Sequence, residues 1–110
     1  MISNQFGDQE APSGFELPKA AVDLLNTAAL SRWVTGWRWE ADSDNSPFVS
    51  IHIADKETGE YFRYVWHSRD TGTLRLFSKL HQESRGRQWE EGPSVKAAVF
   101  RMREVAAQRS

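Results

Sequence analysis

Val49-Ser50-Ile51-His52-Ile53-Ala54-Asp55-Lys56-Glu57-Thr58-Gly59-Glu60-Tyr61-Phe62-Arg63-Tyr64-Val65-Trp66 decides how this chain folds. Side chains on a strand point to opposite faces with period two. Val49, Ile51 and Ile53 therefore share one face of a strand, and Phe62, Tyr64 and Trp66 share one face of the next. Between them, Lys56-Glu57-Thr58-Gly59 reads as a hairpin turn, its glycine supplying the positive φ that a short loop closing on a bulge requires. Setting Asp55 opposite Glu60 brings Ile53 against Phe62, Ile51 against Tyr64 and Val49 against Trp66. Turn chemistry and apolar pattern thus agree on one register, and a slip of one residue would turn every apolar group to the wrong face.

The same logic extends outward. Arg69-Asp70-Thr71-Gly72 predicts a second hairpin that sets Tyr64 near Leu76 and Trp66 near Leu74. Upstream, a first strand carries Trp33, Thr35, Trp37, Trp39 and Ala41 on one face and Arg32, Val34, Gly36, Arg38 and Glu40 on the other, before a polar loop from Asp42 to Pro47. Pro18 suits the first residue of a helix over residues 18–30, with Ala21, Leu24, Leu25 and Ala28 at helical spacing. Ser94 is the expected N-cap of a last helix with an apolar stripe of Val95, Ala98, Val99, Met102, Val105 and Ala106, and with Arg101, Arg103 and Glu104 in solvent. Residues 81–92 read as a loop with room for a short edge strand near Trp89. The expected fold is α+β in the order αββββα: a four-stranded antiparallel meander with an N-terminal and a C-terminal helix packed on one face. Residues 1–16 are expected to form a flexible leader and residues 17–110 a single domain.

Composition bounds the function. A chain of 110 residues buries a core without staples, and the absence of cysteine excludes disulfides and thiolate metal sites. A formal net charge of -1 and a pI near 6.3 do not suit a dedicated polyanion binder. The first residues lack the pattern of a signal peptide, and no run approaches the ~20 apolar residues of a membrane span, so the cytoplasm is the expected location and a membrane is not an expected partner.

With both helices on one side, the other sheet face is left open. It carries Arg38, Phe48, His52, Tyr61, Arg63, Val65, Arg75, Phe77 and Lys79, so bases dominate and rings interleave, while most acids fall in turns and the leader. His52, Arg63 and Phe77 should form one cross-strand row and Ser50, Val65 and Arg75 the next. The loop bearing Arg85, Arg87 and Trp89 offers further contact groups. The leading expectation is a non-enzymatic module that binds a protein partner or a second copy of itself through this face. A basic and aromatic sheet also suits single-stranded nucleic acid. A third reading turns to the opposite face, where Trp33, Trp37, Trp39, Phe62, Tyr64 and Trp66 line either a packed core or a cavity for a flat apolar ligand. Solubilising cations whose stems cover rings are the plainest account of the open face.

No catalytic, cofactor or metal motif stands out. His67, Ser68 and Asp70 hold the residue types of a triad, but neighbours around one turn do not converge with the base in the middle. His52 and His67 share a face at about 13 Å, too far for one metal. Glu40 and Asp42 read as solvated carboxylates at a strand end, and the seven glycines are scattered with no phosphate-binding loop.

Overall fold

The computed structural model describes residues 2–69, 74–79, 90–91 and 94–109. Helix α1 spans Lys19–Leu30, followed by β1 (Val34–Ala41), β2 (Pro47–Ala54), β3 (Tyr61–His67), β4 (Leu74–Lys79), β5 (Glu90–Glu91) and helix α2 (Val95–Arg109). The molecule is α+β with one antiparallel sheet in the order β1-β2-β3-β4-β5. To the expected four-stranded meander it adds the two-residue β5, which pairs with β4 at Phe77 and Ser78, where the sequence left room for a short edge strand near Trp89.

The central hairpin takes the register read from its turn: Val49 opposite Trp66, Ile51 opposite Tyr64 and Ile53 opposite Phe62. The Asp55 amide donates to Glu60 O at 2.9 Å, and Gly59 closes the turn at φ 75°. In the next hairpin Tyr64 lies opposite Leu76 and Trp66 opposite Leu74. The inner face joins Val49, Ile51, Ile53, Phe62 and Tyr64 to Ala21, Leu24, Leu25 and Ala28 of α1 and to Ala98, Met102 and Val105 of α2. Each fully buried large aliphatic residue in this layer contributes about 1.5–3 kcal/mol. Trp33 stacks on Phe62 at 5.7 Å, whereas Trp37, Trp39 and Trp66 pack at the margin, half-buried.

Both ends of α1 depart from the sequence reading. Pro18 is the N-cap, with extended backbone, and not the first helical residue. At the C-terminus the Arg32 amide donates to Ala29 O and the Trp33 amide to Ala28 O, with Arg32 at φ 66°. This paired closure ordinarily uses glycine. Arg32 therefore ends the helix and does not begin β1 as expected.

The Ser94 hydroxyl caps α2 by accepting from the Ala97 amide at 3.2 Å. Arg101, expected in solvent, instead donates to the Glu60 carboxylate, and Arg109 donates to Asp55 at 2.5 Å. These pairs fasten α2 to the β2–β3 turn. Asp55 is only 3% exposed and also accepts from the Thr58 amide and hydroxyl. Burial pushes its carboxyl up; Arg109 and Thr58 outweigh this and hold it below the ordinary range.

Among the described residues, no helix is long and apolar enough to cross a membrane.

Candidate functional site

The outer face is built by alternate residues of β1, β2 and β3, the inner partners of which are locked in the core. Gly36, His52 and Arg63 form one row with Phe77 in register, and Arg38, Ser50 and Val65 form the next with Arg75. Lys79 stands opposite Tyr61. The His52–Arg63–Phe77 and Ser50–Val65–Arg75 registers are those expected from sequence, and β1 extends them with Gly36 and Arg38. Nothing is described of the side chains of Arg75, Phe77 and Lys79, and Arg85, Arg87 and Trp89 lie outside the described residues.

Polar groups on this face are held by one another. The Arg63 guanidinium donates to Ser50 Oγ at 3.0 Å, and Ser50 is 1% exposed although it faces away from the core. The Tyr61 hydroxyl and His52 Nδ1 form a hydrogen bond. Burial, then the charges of Arg63 and Arg38, lower the His52 pKa to about 4. The imidazole is neutral at pH 7, so Nδ1 accepts and Tyr61 donates. Burial raises the Tyr61 pKa, opposed in part by Arg63, which keeps the phenol protonated.

At the far end of the face, Phe48 stacks on His67 with centroids 5.9 Å apart. His67 Nδ1 accepts from the Arg69 amide at 3.1 Å, so Nε2 carries the proton and donates to Asp42 Oδ2 at 2.8 Å. Asp42 also accepts from the amides of Asp44 and Ser46, and the Arg69 guanidinium reaches Asp44 and Ser46. Backbone donation from Ser46 leads the causes that lower the Asp42 pKa, against a smaller effect of burial, with Asp44, His67 and Arg69 adding to it. Asp42 is thus a clasp between two loops, not one of a carboxylate pair with Glu40. Both nitrogens of His67 are engaged, which leaves it no lone pair for abstracting a proton.

The largest departure from the sequence reading is the N-terminal segment. Residues 3–5 run along the free edge of β1: the Gln5 amide donates to Thr35 O at 3.0 Å, the Thr35 hydroxyl to Ser3 O at 2.7 Å, and the Asn4 carboxamide both donates to Trp37 O and accepts from the Trp37 amide. Ile2 packs against the core. Phe6 then turns onto the outer face, its ring 5.0 Å from His52 in an edge contact and 5.4 Å from the Arg38 guanidinium carbon. Gly36 makes room for it: a Cβ there would stand 2.5 Å from Gln5 Cγ and 2.9 Å from the Phe6 ring. A glycine inside a strand is the one sequence signal that pointed here, since it often marks the close approach of another backbone. Arg38 and His52 are consequently partly covered by the chain itself, whereas Phe48, Tyr61, Arg63 and Val65 are half-buried.

The opposite, aromatic face is filled. Trp33, Phe62 and Tyr64 are 4%, 5% and 1% exposed within the core, although the Trp33 indole N–H and the Tyr64 hydroxyl find no hydrogen-bond partner among the described residues. One cavity of about 410 Å³ lies at the β1 edge, lined by Ser3, Asn4, Gln5, Ala29, Trp33, Val34 and Thr35; another of about 220 Å³ is lined by Leu30, Ser31, Arg32, Ala106 and Arg109. Among the described residues no cluster of three or more His, Asp or Glu is placed to hold a metal. No protein-family model, curated protein or solved structure matches this chain.

Proposed function

We propose that this domain is a non-enzymatic binding module that meets a protein partner, or a second copy of itself, through the outer face of its sheet. The observation that carries the proposal is that this face and its β1 margin already hold a peptide segment, residues 3–6, by backbone, carboxamide and ring contacts. Pre-set hydrogen bonds at Ser50–Arg63 and Tyr61–His52 reduce the side-chain freedom that a partner would have to freeze. Arg38 lies over Phe6, Arg63 donates to Ser50 and Arg69 pairs with Asp44, so these cations are engaged within the chain. That engagement favours protein over nucleic acid as the partner. The cytoplasm as place of action belongs to the same proposal and rests on the sequence alone.

The test is a photo-crosslinking amino acid at Val65, compared with one at Phe100, which is 69% exposed on α2. Crosslinks from position 65 to a discrete protein or to a second copy, absent from position 100 and weakened by Arg63→Ala, support the proposal. Crosslinks to nucleic acid alone, or equal crosslinking from both positions, overturn it.

A further inference from the structure

The β1 margin combines three features that belong together in a peptide-docking groove. Thr35 and Trp37 offer backbone groups toward the free edge, and these are met by Gln5 and by both ends of the Asn4 carboxamide, as an added strand would meet them. Gly36, His52 and Arg38 form a notch that takes one aromatic ring. Beside both, a cavity of about 410 Å³ lies between the segment and the domain. Its lining on the domain side includes Ala29, Trp33, Val34 and Thr35, whereas the segment lines it with polar residues alone, Ser3, Asn4 and Gln5. The segment is joined to the domain through Gly7 and Gly14, both at positive φ and with nothing near the place of a Cβ, and Phe6 is 38% exposed.

We propose that this margin is a docking groove filled in cis by residues 3–6, and that its partner is an extended protein segment carrying a carboxamide side chain, an aromatic ring two residues later and a bulky apolar side chain immediately before the carboxamide. The carboxamide closes on Trp37, the ring enters the Gly36 notch, and the apolar group fills the space that Ser3 leaves. The tethered occupant acts at an effective concentration on the order of millimolar, so a free peptide competes only when it fits better or when the cis segment is weakened. Because this presupposes that the outer face and its margin bind protein, it must be tested separately from that claim.

The full chain bearing Asn4→Ala and Phe6→Ala, and a second chain bearing Phe6→Ala alone, are titrated with a labelled peptide Ile-Leu-Asn-Gln-Phe-Gly and with the native version having Ser in place of Leu. Anisotropy reads binding and circular dichroism checks that each chain is folded. The substituted chains should bind the Leu peptide at least about tenfold tighter than the unsubstituted chain does, and about tenfold tighter than they bind the Ser peptide. Replacing Asn by Ala in the peptide should abolish binding. Equal affinity for the Leu and Ser peptides, indifference to the Asn change, or a doubled mass of the folded substituted chain by light scattering would each overturn the groove. If crosslinking from Val65 persists while no peptide binds, only the groove falls; if both fail, the binding proposal falls with it.

Discussion

Ile51 and Ser50 are neighbours in β2, both almost wholly out of water, and they are held by different physics. Ile51 faces a continuous apolar layer shared by the sheet and two helices. Ser50 faces the other way and is covered by the polar side chain that bonds to it, Arg63. On the inner face stability scales with area and fit. On the outer face it scales with whether each polar group keeps its particular partner. One sheet therefore carries a surface built to stay closed and a surface whose contacts are exchangeable one at a time.

Truncation should expose this contrast most sharply. Ile51→Ala is expected to cost about 3–4 kcal/mol in urea unfolding, against about 1 kcal/mol for Ser50→Ala. Comparable losses from both would mean that the outer face is as tightly packed as the inner one. Asp55 joins the two regimes, being a buried charge at the end of the same strand. Asp55→Ala should cost about 2–4 kcal/mol, since it strips Thr58 of its acceptor and leaves Arg109 only the exposed Glu57 carboxylate. Its lowered pKa fixes the sign of the acid response: the contribution is complete above the ordinary value of 3.8 and disappears as pH falls through the lower folded value.

His52 sharpens the comparison on the outer face alone. Its folded pKa of about 4 lies below the ordinary 6.5, so its contribution is full above pH 6.5 and is lost as pH falls toward 4. The ring is only half-buried, and screening reduces the effect to about 1–2 kcal/mol. Chemical denaturation at pH 7.0 and 4.5 should show that slope in the parent and lose most of it in His52→Gln. The smallest effect belongs to neither face: Arg32→Gly should raise stability by about 0.5–1 kcal/mol by relieving the left-handed backbone at φ 66°. A decrease in the melting temperature would show that Arg32 contributes contacts beyond its helix-ending role.

Sequence legibility followed the reach of the interactions. The β2–β3 register was readable because Thr58-Gly59 and the alternation on either side constrain one another within a few residues. The Ser94 cap was local in the same way. The end of α1 was not, because an arginine holds the position where glycine would have announced it. Arg101 read as a solvated group, since its carboxylate partner Glu60 lies 41 residues away, and the Arg109–Asp55 pair, 54 residues apart, left no local signal. The cross-strand rows of the outer face were legible, but their partial cover was not. Residues 2–6 hold on chiefly through backbone groups and one carboxamide, which leave no hydrophobic period to read.

That N-terminal segment also has a place in time. Asn4 bonds to a residue 33 positions later, and Phe6 rests against a ring on β2, so the Phe6 contact is complete only when β1 and β2 have come together. Contacts that close loops of this length form late in folding, so the segment is expected to dock after the sheet it rests on. Removing the Phe6 ring should leave the refolding rate nearly untouched and appear almost wholly as faster unfolding.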